Sequence, residues 1–292
     1  MSEKCNSSSG CSSCSSAQSC STSEKQSHTK SKIENTLSNI KFKIMVMSGK
    51  GGVGKSTFSV NLAAMLAGMG YRVGLIDADI HGPNVPKMLG IKEKGVLSSA
   101  EGIIPYEPVE NLLVMSVGFL IREDDDAIIW RSPLKHSIIE QFLSDVNWGE
   151  LDFLLFDLPP GTGDEPLSVS HLLGRVDGSV IVTTPQEVAL LDSRKSVTFS
   201  RKLNIPVLGI VENMSGFVCP KCGEKTDIFK TGGGERAANE LKVNFLGKIP
   251  LEPELVMQGD LGRPFVIDKP NSESAKSFKN IAKNILIQTI LK

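Results

Sequence analysis

The sequence predicts an α/β fold: a doubly wound, mainly parallel sheet of the P-loop NTPase kind, with helices on both faces. Three observations carry that class. Short apolar runs alternate along the chain with segments of helical periodicity. The runs are continuous rather than alternating, as in parallel sheets covered on both sides. Several of them end at a carboxylate or a glycine-rich loop, the rim of an open α/β sheet where ligands bind.

The first run, Phe42 to Met47, leads into Gly49-Lys50-Gly51-Gly52-Val53-Gly54-Lys55-Ser56-Thr57. Strand, glycine-rich loop and helix is the order of a phosphate-binding loop, and Gly49 to Ser56 spell GxxxxGK[ST]. The glycines let backbone N–H groups turn toward a polyphosphate without a Cβ in the way, and the helix N-terminus adds its positive end. In this pattern Lys55 contacts the β- and γ-phosphates and the Ser56 hydroxyl ligates Mg²⁺. A nucleoside triphosphate site follows.

The helix after the loop runs to about Met69, with Val60, Ala63, Ala64 and Ala67 at helical spacing, and stops at Gly70. Strand Arg72–Ile76 comes next, then a Gly/Pro-punctuated segment, His81 to Gly90, with a short helix after Pro86. Leu112–Val117 reads as a strand and Pro133–Val146 as a helix with Pro in its first turn. Strand Phe153–Phe156, strand Ser179–Thr183, helix Val188–Leu203 and strand Val207–Val211 follow. A hairpin carrying CxxC, a helix near Gly234–Leu241, a strand Asn244–Ile249 and a C-terminal helix from about Ser272 complete the pattern. The organisation is one α/β ATPase domain, 36–292, behind a Ser- and Cys-rich appendage, 1–35. With almost no large apolar side chain, that appendage is expected to be disordered unless its cysteines hold something.

With 32 Lys+Arg against 33 Asp+Glu, the chain offers no electrostatic case for nucleic acid. No apolar run approaches the roughly 20 residues of a membrane span, and the N-terminus lacks a signal-peptide core. The expected location is the cytoplasm, where closely spaced cysteines point to metal or redox chemistry more than to disulfides. Cys5, Cys11, Cys14 and Cys20 supply four thiolates, the number that fills a tetrahedral zinc site or an Fe–S cluster. A solvated or redox-labile Ser/Cys tail is the alternative for that biased composition. Cys219 and Cys222 form a CxxC in a Gly/Pro/Lys loop, half of a tetrahedral site. The other half could come from the N-terminal cysteines, or from the same pair in a second chain across a two-fold axis.

Carboxylates mark the strand ends. Asp77 and Asp79 follow the second strand, and Asp79 is the better candidate to orient an attacking water because Asp77 sits closer to the strand. Asp157, after four apolar residues, stands where a Walker B carboxylate holds Mg²⁺ directly or through water. It opens Asp157-Leu158-Pro159-Pro160-Gly161-Thr162-Gly163-Asp164, a candidate switch loop.

The loop Gly49 to Thr57, together with Asp157-Leu158-Pro159-Pro160-Gly161, resembles the deviant Walker A class of MinD, ParA and the nitrogenase iron protein. The resemblance implies that Lys50 reaches across a homodimer to the partner's nucleotide, and that Asn213 reads adenine. A lysine supplied in trans acts like an arginine finger. Asp77-Ala78-Asp79-Ile80-His81-Gly82-Pro83-Asn84-Val85-Pro86, Trp148-Gly149-Glu150-Leu151-Asp152-Phe153 and Glu212-Asn213-Met214-Ser215-Gly216-Phe217 narrow it further. From about Lys41 to Pro270 the chain resembles the Mrp-type nucleotide-binding proteins. That implies an ATP-hydrolysing iron–sulfur cluster scaffold or carrier, with a labile [4Fe–4S] cluster bridged by Cys219 and Cys222 of two subunits and apo-proteins as recipients. Cys11-x2-Cys14-x5-Cys20 resembles the branch with an added N-terminal cluster, although Cys5 stands closer to Cys11 than that pattern places its first cysteine. The rival expectation is a MinD- or ParA-type positioning ATPase with a structural zinc at the CxxC. Such a protein would use the amphipathic C-terminal stripe Phe278, Ile281, Ala282, Ile285, Leu286, Thr289 and Ile290 to grip a membrane, but the expectation for that stripe is a helix packed on the sheet, with a membrane partner disfavoured.

Overall fold

In a computed structural model, which describes residues 22–80, 82–93, 95–100, 102–120 and 132–290, the apolar runs assemble into one sheet. The first half of the chain gives α1 (Thr22–Ser38), β1 (Ile40–Met47), α2 (Lys55–Gly68), β2 (Val73–Asp77), α3 (Val85–Met88), β3 (Leu97–Ser99), β4 (Gly102–Ile104), β5 (Tyr106–Val109) and β6 (Leu112–Ser116). A 3₁₀ turn, Val117–Leu120, precedes α4 (Ser132–Ser144), β7 (Leu151–Asp157), α5 (Asp164–Leu173), β8 (Gly178–Thr183), α6 (Glu187–Lys202) and β9 (Val207–Glu212). The last part holds β10 (Phe217–Val218), β11 (Lys225–Thr226), α7 (Gly233–Leu241), β12 (Phe245–Lys248), α8 (Pro253–Asp260), α9 (Phe265–Asp268) and α10 (Glu273–Ile290).

The sheet order is β12-β9-β8-β1-β7-β2-β6-β5, parallel throughout except for the edge pair β5–β6. The chain runs outward from β1 to β2 and β6, returns to fill β7, and then continues to β8, β9 and β12 on the other side. That reversal leaves a crevice beyond the carboxyl end of β1, where the glycine loop emerges. Register brings the acidic strand ends into that crevice: Val46 and Asp77 are both paired with Asp157. Strands β2, β6 and β8 are buried along their whole lengths, so both faces of the sheet are covered. Apolar strands such as Val73–Asp77 persist only because helices shield them on each side.

Phe58, Leu62 and Leu66 of α2 are buried, and Phe58 stacks on Phe278 of α10 at 5.9 Å. The C-terminal stripe packs into the core as expected: Phe278, Ile281, Ala282 and Ile285 are buried, while Ile290 at its end is exposed. Among the described residues, no helix is long and apolar enough to cross a membrane.

Disorder was expected up to about residue 35, yet α1 runs across that boundary from Thr22. Ile33 and Leu37, one helical turn apart, pack onto the core, and Lys32 pairs with Asp145 just after α4 at 3.6 Å. Two apolar residues suffice because α4 offers a ready surface for them. The cysteine part of the appendage, with Cys5, Cys11, Cys14 and Cys20, lies outside the described residues. Helices α5 and α8 and the antiparallel edge were not foreseen; α5 starts at Asp164, where the candidate switch loop ends.

A candidate nucleotide site and a cysteine hairpin

Local geometry shapes the loop between β1 and α2. Gly52 and Gly54 have φ of +79° and +81°, which favour glycine. Gly49 is glycine for a different reason: a Cβ there would lie 2.1 Å from the backbone carbon of Asp192 in α6. The loop after β7 packs against it, with the Gly161 N–H donating to the Ser48 carbonyl at 2.8 Å.

At the loop's end the predicted residues meet. Lys55 Nζ donates to Asp157 Oδ1 at 2.8 Å, and Ser56 Oγ donates to Oδ2 at 2.6 Å. Ser59, one turn further along α2, donates to Oδ1 at 2.7 Å. Sequence reasoning missed Ser59; its spacing of four from Lys55 places it on the same helix face. Asp157 is fully buried, and three donors offset the desolvation of its charge. The hydroxyl of Ser56 and the carboxylate of Asp157 are adjacent hard oxygen donors, a set that fits Mg²⁺.

Asp77 lies beside this pair, accepting from Ser116 Oγ at 2.9 Å and from the Asp79 N–H at 3.1 Å. Burial, and then the neighbouring Asp157, push its carboxyl up to about 8. Asp79 is half-buried beyond it, and Lys50 is exposed at the crest of the loop.

Asn213, directly after β9, is buried, and its Nδ2 donates to the Val53 carbonyl at 2.9 Å. It thus grips the phosphate loop from below while bordering a cleft formed with Gly54, Thr57, Met214, Pro250 and Leu251. Lys87 and Asn84 of the α3 segment line the far side. Pro250 and Leu251 carried no recognisable signal, because a cleft wall assembled from separate loops has no sequence period.

The same loop region leads into the cysteine hairpin. β10 and β11 pair Phe217 with Thr226 and Val218 with Lys225, and the Cys219 N–H donates to the Glu224 carbonyl at 2.9 Å. The thiol of Cys219 is held below its ordinary value by the backbone N–H groups of Cys222 and Lys221, and then by the Cys222 side chain. N–H groups turned onto a sulfur stabilise the thiolate, the form that binds metal. Cys222 is exposed. Among the described residues no cluster of three or more His, Cys, Asp or Glu is placed to hold a metal, so this pair has no further described ligand from its own chain. Hydrogen bonds from Ser215 N–H to the Ile249 carbonyl and from Leu251 N–H to the Gly216 carbonyl tie the hairpin's base to the cleft wall.

Comparison with known proteins places this geometry among relatives. The model of the ParA family described as NUBPL iron-transfer P-loop NTPase matches residues 39–286. Proteins named iron-sulfur cluster carrier protein from Methanocaldococcus jannaschii and Saccharolobus solfataricus are 51% and 48% identical. The first match covers 88% of this chain and 88% of the relative; the second covers 87% and 86%. A nucleotide-binding protein from Archaeoglobus fulgidus, solved in complex with ADP, superposes with a TM-score of 0.74 at 40% identity, covering 85% of this chain and 96% of that one. The cell division ATPase MinD of Pyrococcus furiosus shares the fold at 24% identity, with a TM-score of 0.62 and coverage of 84% and 98%.

Proposed function

Because this chain belongs to the NUBPL iron-transfer P-loop NTPase family, we propose that it is an ATP-dependent iron–sulfur cluster carrier. The observation that carries the reading is the hairpin holding Cys219 and Cys222, hydrogen-bonded at its base to the wall of a phosphate-loop cleft. In this reading two copies of the chain face each other as a homodimer, and four thiolates, two from each, take up a labile [4Fe–4S] cluster as cargo. Each pair on its own is half a site, so the dimer's geometry sets how firmly the cargo is held. Apo-proteins that need the cluster are the recipients, in the cytoplasm. The cysteines at 5, 11, 14 and 20 hold a second cluster in the same reading.

Nucleotide chemistry follows from the residues at the β1 rim. The loop from Gly49 to Thr57 wraps the phosphates of ATP with backbone N–H groups, and Asn213 borders the base. Ser56 and Asp157 would hold Mg²⁺, which neutralises charge on the phosphates when bound. Lys55 exchanges its carboxylate partner for the β- and γ-phosphates. Asp79 orients the attacking water, and Lys50, exposed at the loop crest, reaches the partner's nucleotide once the dimer has closed. Binding and hydrolysis then alter the dimer and with it the hold on the cluster. The positioning-ATPase reading loses its membrane anchor, since Phe278 and Ile285 are core residues.

Anaerobic reconstitution with iron and sulfide tests the cargo. In a background of Cys11→Ser and Cys14→Ser, which isolates the hairpin, visible absorption should develop and should be lost with Cys222→Ser. A protein that stays colourless and retains only zinc would overturn the carrier function.

A further inference from the structure

We infer that Glu212 is a positioning residue that couples the cysteine hairpin to the phosphate loop. Glu212 ends β9 and is fully buried. Its carboxylate gathers donors from both feet of the hairpin. On the outgoing foot the Ser215 hydroxyl donates to Oε1. On the returning foot the Gly232 N–H donates to Oε1 at 2.8 Å and the Gly234 N–H donates to Oε2. One side chain therefore closes the whole excursion that carries Cys219 and Cys222.

The returning foot is shaped for this acceptor. Gly232 has φ of +80°, a conformation that favours glycine, and a Cβ on Gly234 would lie 3.0 Å from the Cβ of Glu212. The N-cap of α7 is Gly232, which has no side chain to cap with, and the N–H groups of Gly232 and Gly234 are served by the carboxylate at the end of β9. That is the arrangement in which an anion at a helix start is most favourable. A neutral amide cannot replace it. Glutamine offers one acceptor and one donor end, and its NH₂ would face either the Gly234 N–H or the Gly232 and Ser215 donors.

The next residue faces the phosphate loop. Asn213 donates to the Val53 carbonyl, and a Cβ on Gly54 would meet that same nitrogen at 2.3 Å. Two consecutive residues at one strand end thus hold the phosphate loop and both hairpin feet. The Asn213 N–H also donates to the Thr183 carbonyl at 2.8 Å, which fixes their shared backbone to β8. A displacement of the loop around bound phosphates acts on Asn213, and through one peptide bond on the carboxylate that sets the hairpin.

This inference deepens the carrier function and rests on it for the hairpin's role, so its test uses the thiols without any metal. Reduced full-length protein is alkylated with iodoacetamide, and the rates at Cys219 and Cys222 are read residue by residue by peptide mass spectrometry, with and without ADP. In wild type the rates should differ between the two states. In Glu212→Gln they should rise roughly tenfold, the factor for losing one hydrogen bond to a charged group, and should no longer respond to ADP. Ser215→Ala removes one donor to the same carboxylate and leaves the core and both backbone donors intact; it should give a rise in the same direction. ADP titration of each variant confirms that the nucleotide-occupied state is reached. Wild-type rates indifferent to ADP, or a Glu212→Gln protein that keeps the wild-type response, would overturn the coupling. Failure of iron reconstitution with the alkylation pattern intact would instead remove the cargo and leave the coupling standing.

Discussion

Asp77 shows how one residue can set a property of the whole protein. Its carboxyl is buried beside Asp157, and its raised value near 8 means that the folded chain holds a proton the unfolded chain has released. The unfolded reference is 3.8, so between about pH 4 and pH 8 the folded state binds more protons than the unfolded one. Stability contributed by this group is therefore complete at low pH and falls as pH rises through that window. Asp77→Asn, which cannot ionise, removes the dependence. Its melting temperature relative to wild type should increase from pH 5 to pH 8, by roughly 2–4 °C for each kcal/mol involved. A melting difference that stays flat with pH would show Asp77 to be ionised throughout. At the same scale Asp157 has different surroundings: Lys55, Ser56 and Ser59 all donate to it. Adjacent carboxylates at paired strand ends thus have different tasks, set by their donors rather than by their shared residue type.

At the scale of elements, α10 is the clearest case of a pattern with two physical uses. An amphipathic stripe fits a lipid surface as well as a sheet, and its periodicity is the same in both. Packing decides between them: Phe278 stacks on Phe58 of α2, and Asn284 Nδ2 donates to the Leu246 carbonyl of β12 at 2.9 Å. Phe278→Ala should accordingly cost about 3–5 kcal/mol of folding stability, read as a lower denaturation midpoint at unchanged slope. A stable variant whose only defect was weaker sedimentation with liposomes would restore the membrane role. α1 is the opposite case, a helix of low mean hydropathy with little apolar surface, whose Ile33 is nonetheless buried. Composition averaged over the appendage concealed Ile33, where α1 packs against the core.

For the molecule as a whole, the described chain brings the parts of a nucleotide site to one rim but leaves Lys50 exposed and the cysteine pair short of two ligands. The proposed second copy would account for both features. If Lys50 acts in trans, the specific rate of ATP hydrolysis should rise with protein concentration. Lys50→Ala should lower the plateau on the order of 10³-fold, the lower part of the range for a charge supplied across an interface. A concentration-independent rate, unaltered in Lys50→Ala, would place that lysine outside the chemistry. In the proposed dimer the same dependence on a second copy would apply to the cysteine hairpin, which has no further described ligand from its own chain.

The sequence by itself determined what depends on neighbours in the chain. The phosphate loop was readable because its glycines, lysine and serine act within a single turn, and the strands because their apolar runs are continuous. The CxxC hairpin was readable because its two cysteines lie three residues apart. Only the tertiary structure decided which distant residues share a site. Lys55 and Asp157 are separated by 102 residues, and Asn213 and Val53 by 160. Strand order and register set such pairings, and they are properties of the sheet rather than of any segment. Asp77 is beside Asp157 because β2 pairs with β7, and Glu212 closes the hairpin because β9 ends beneath both of its feet. Local chemistry is written in short patterns, whereas burial, proton affinity and coupling arise only when the chain has folded those patterns against one another.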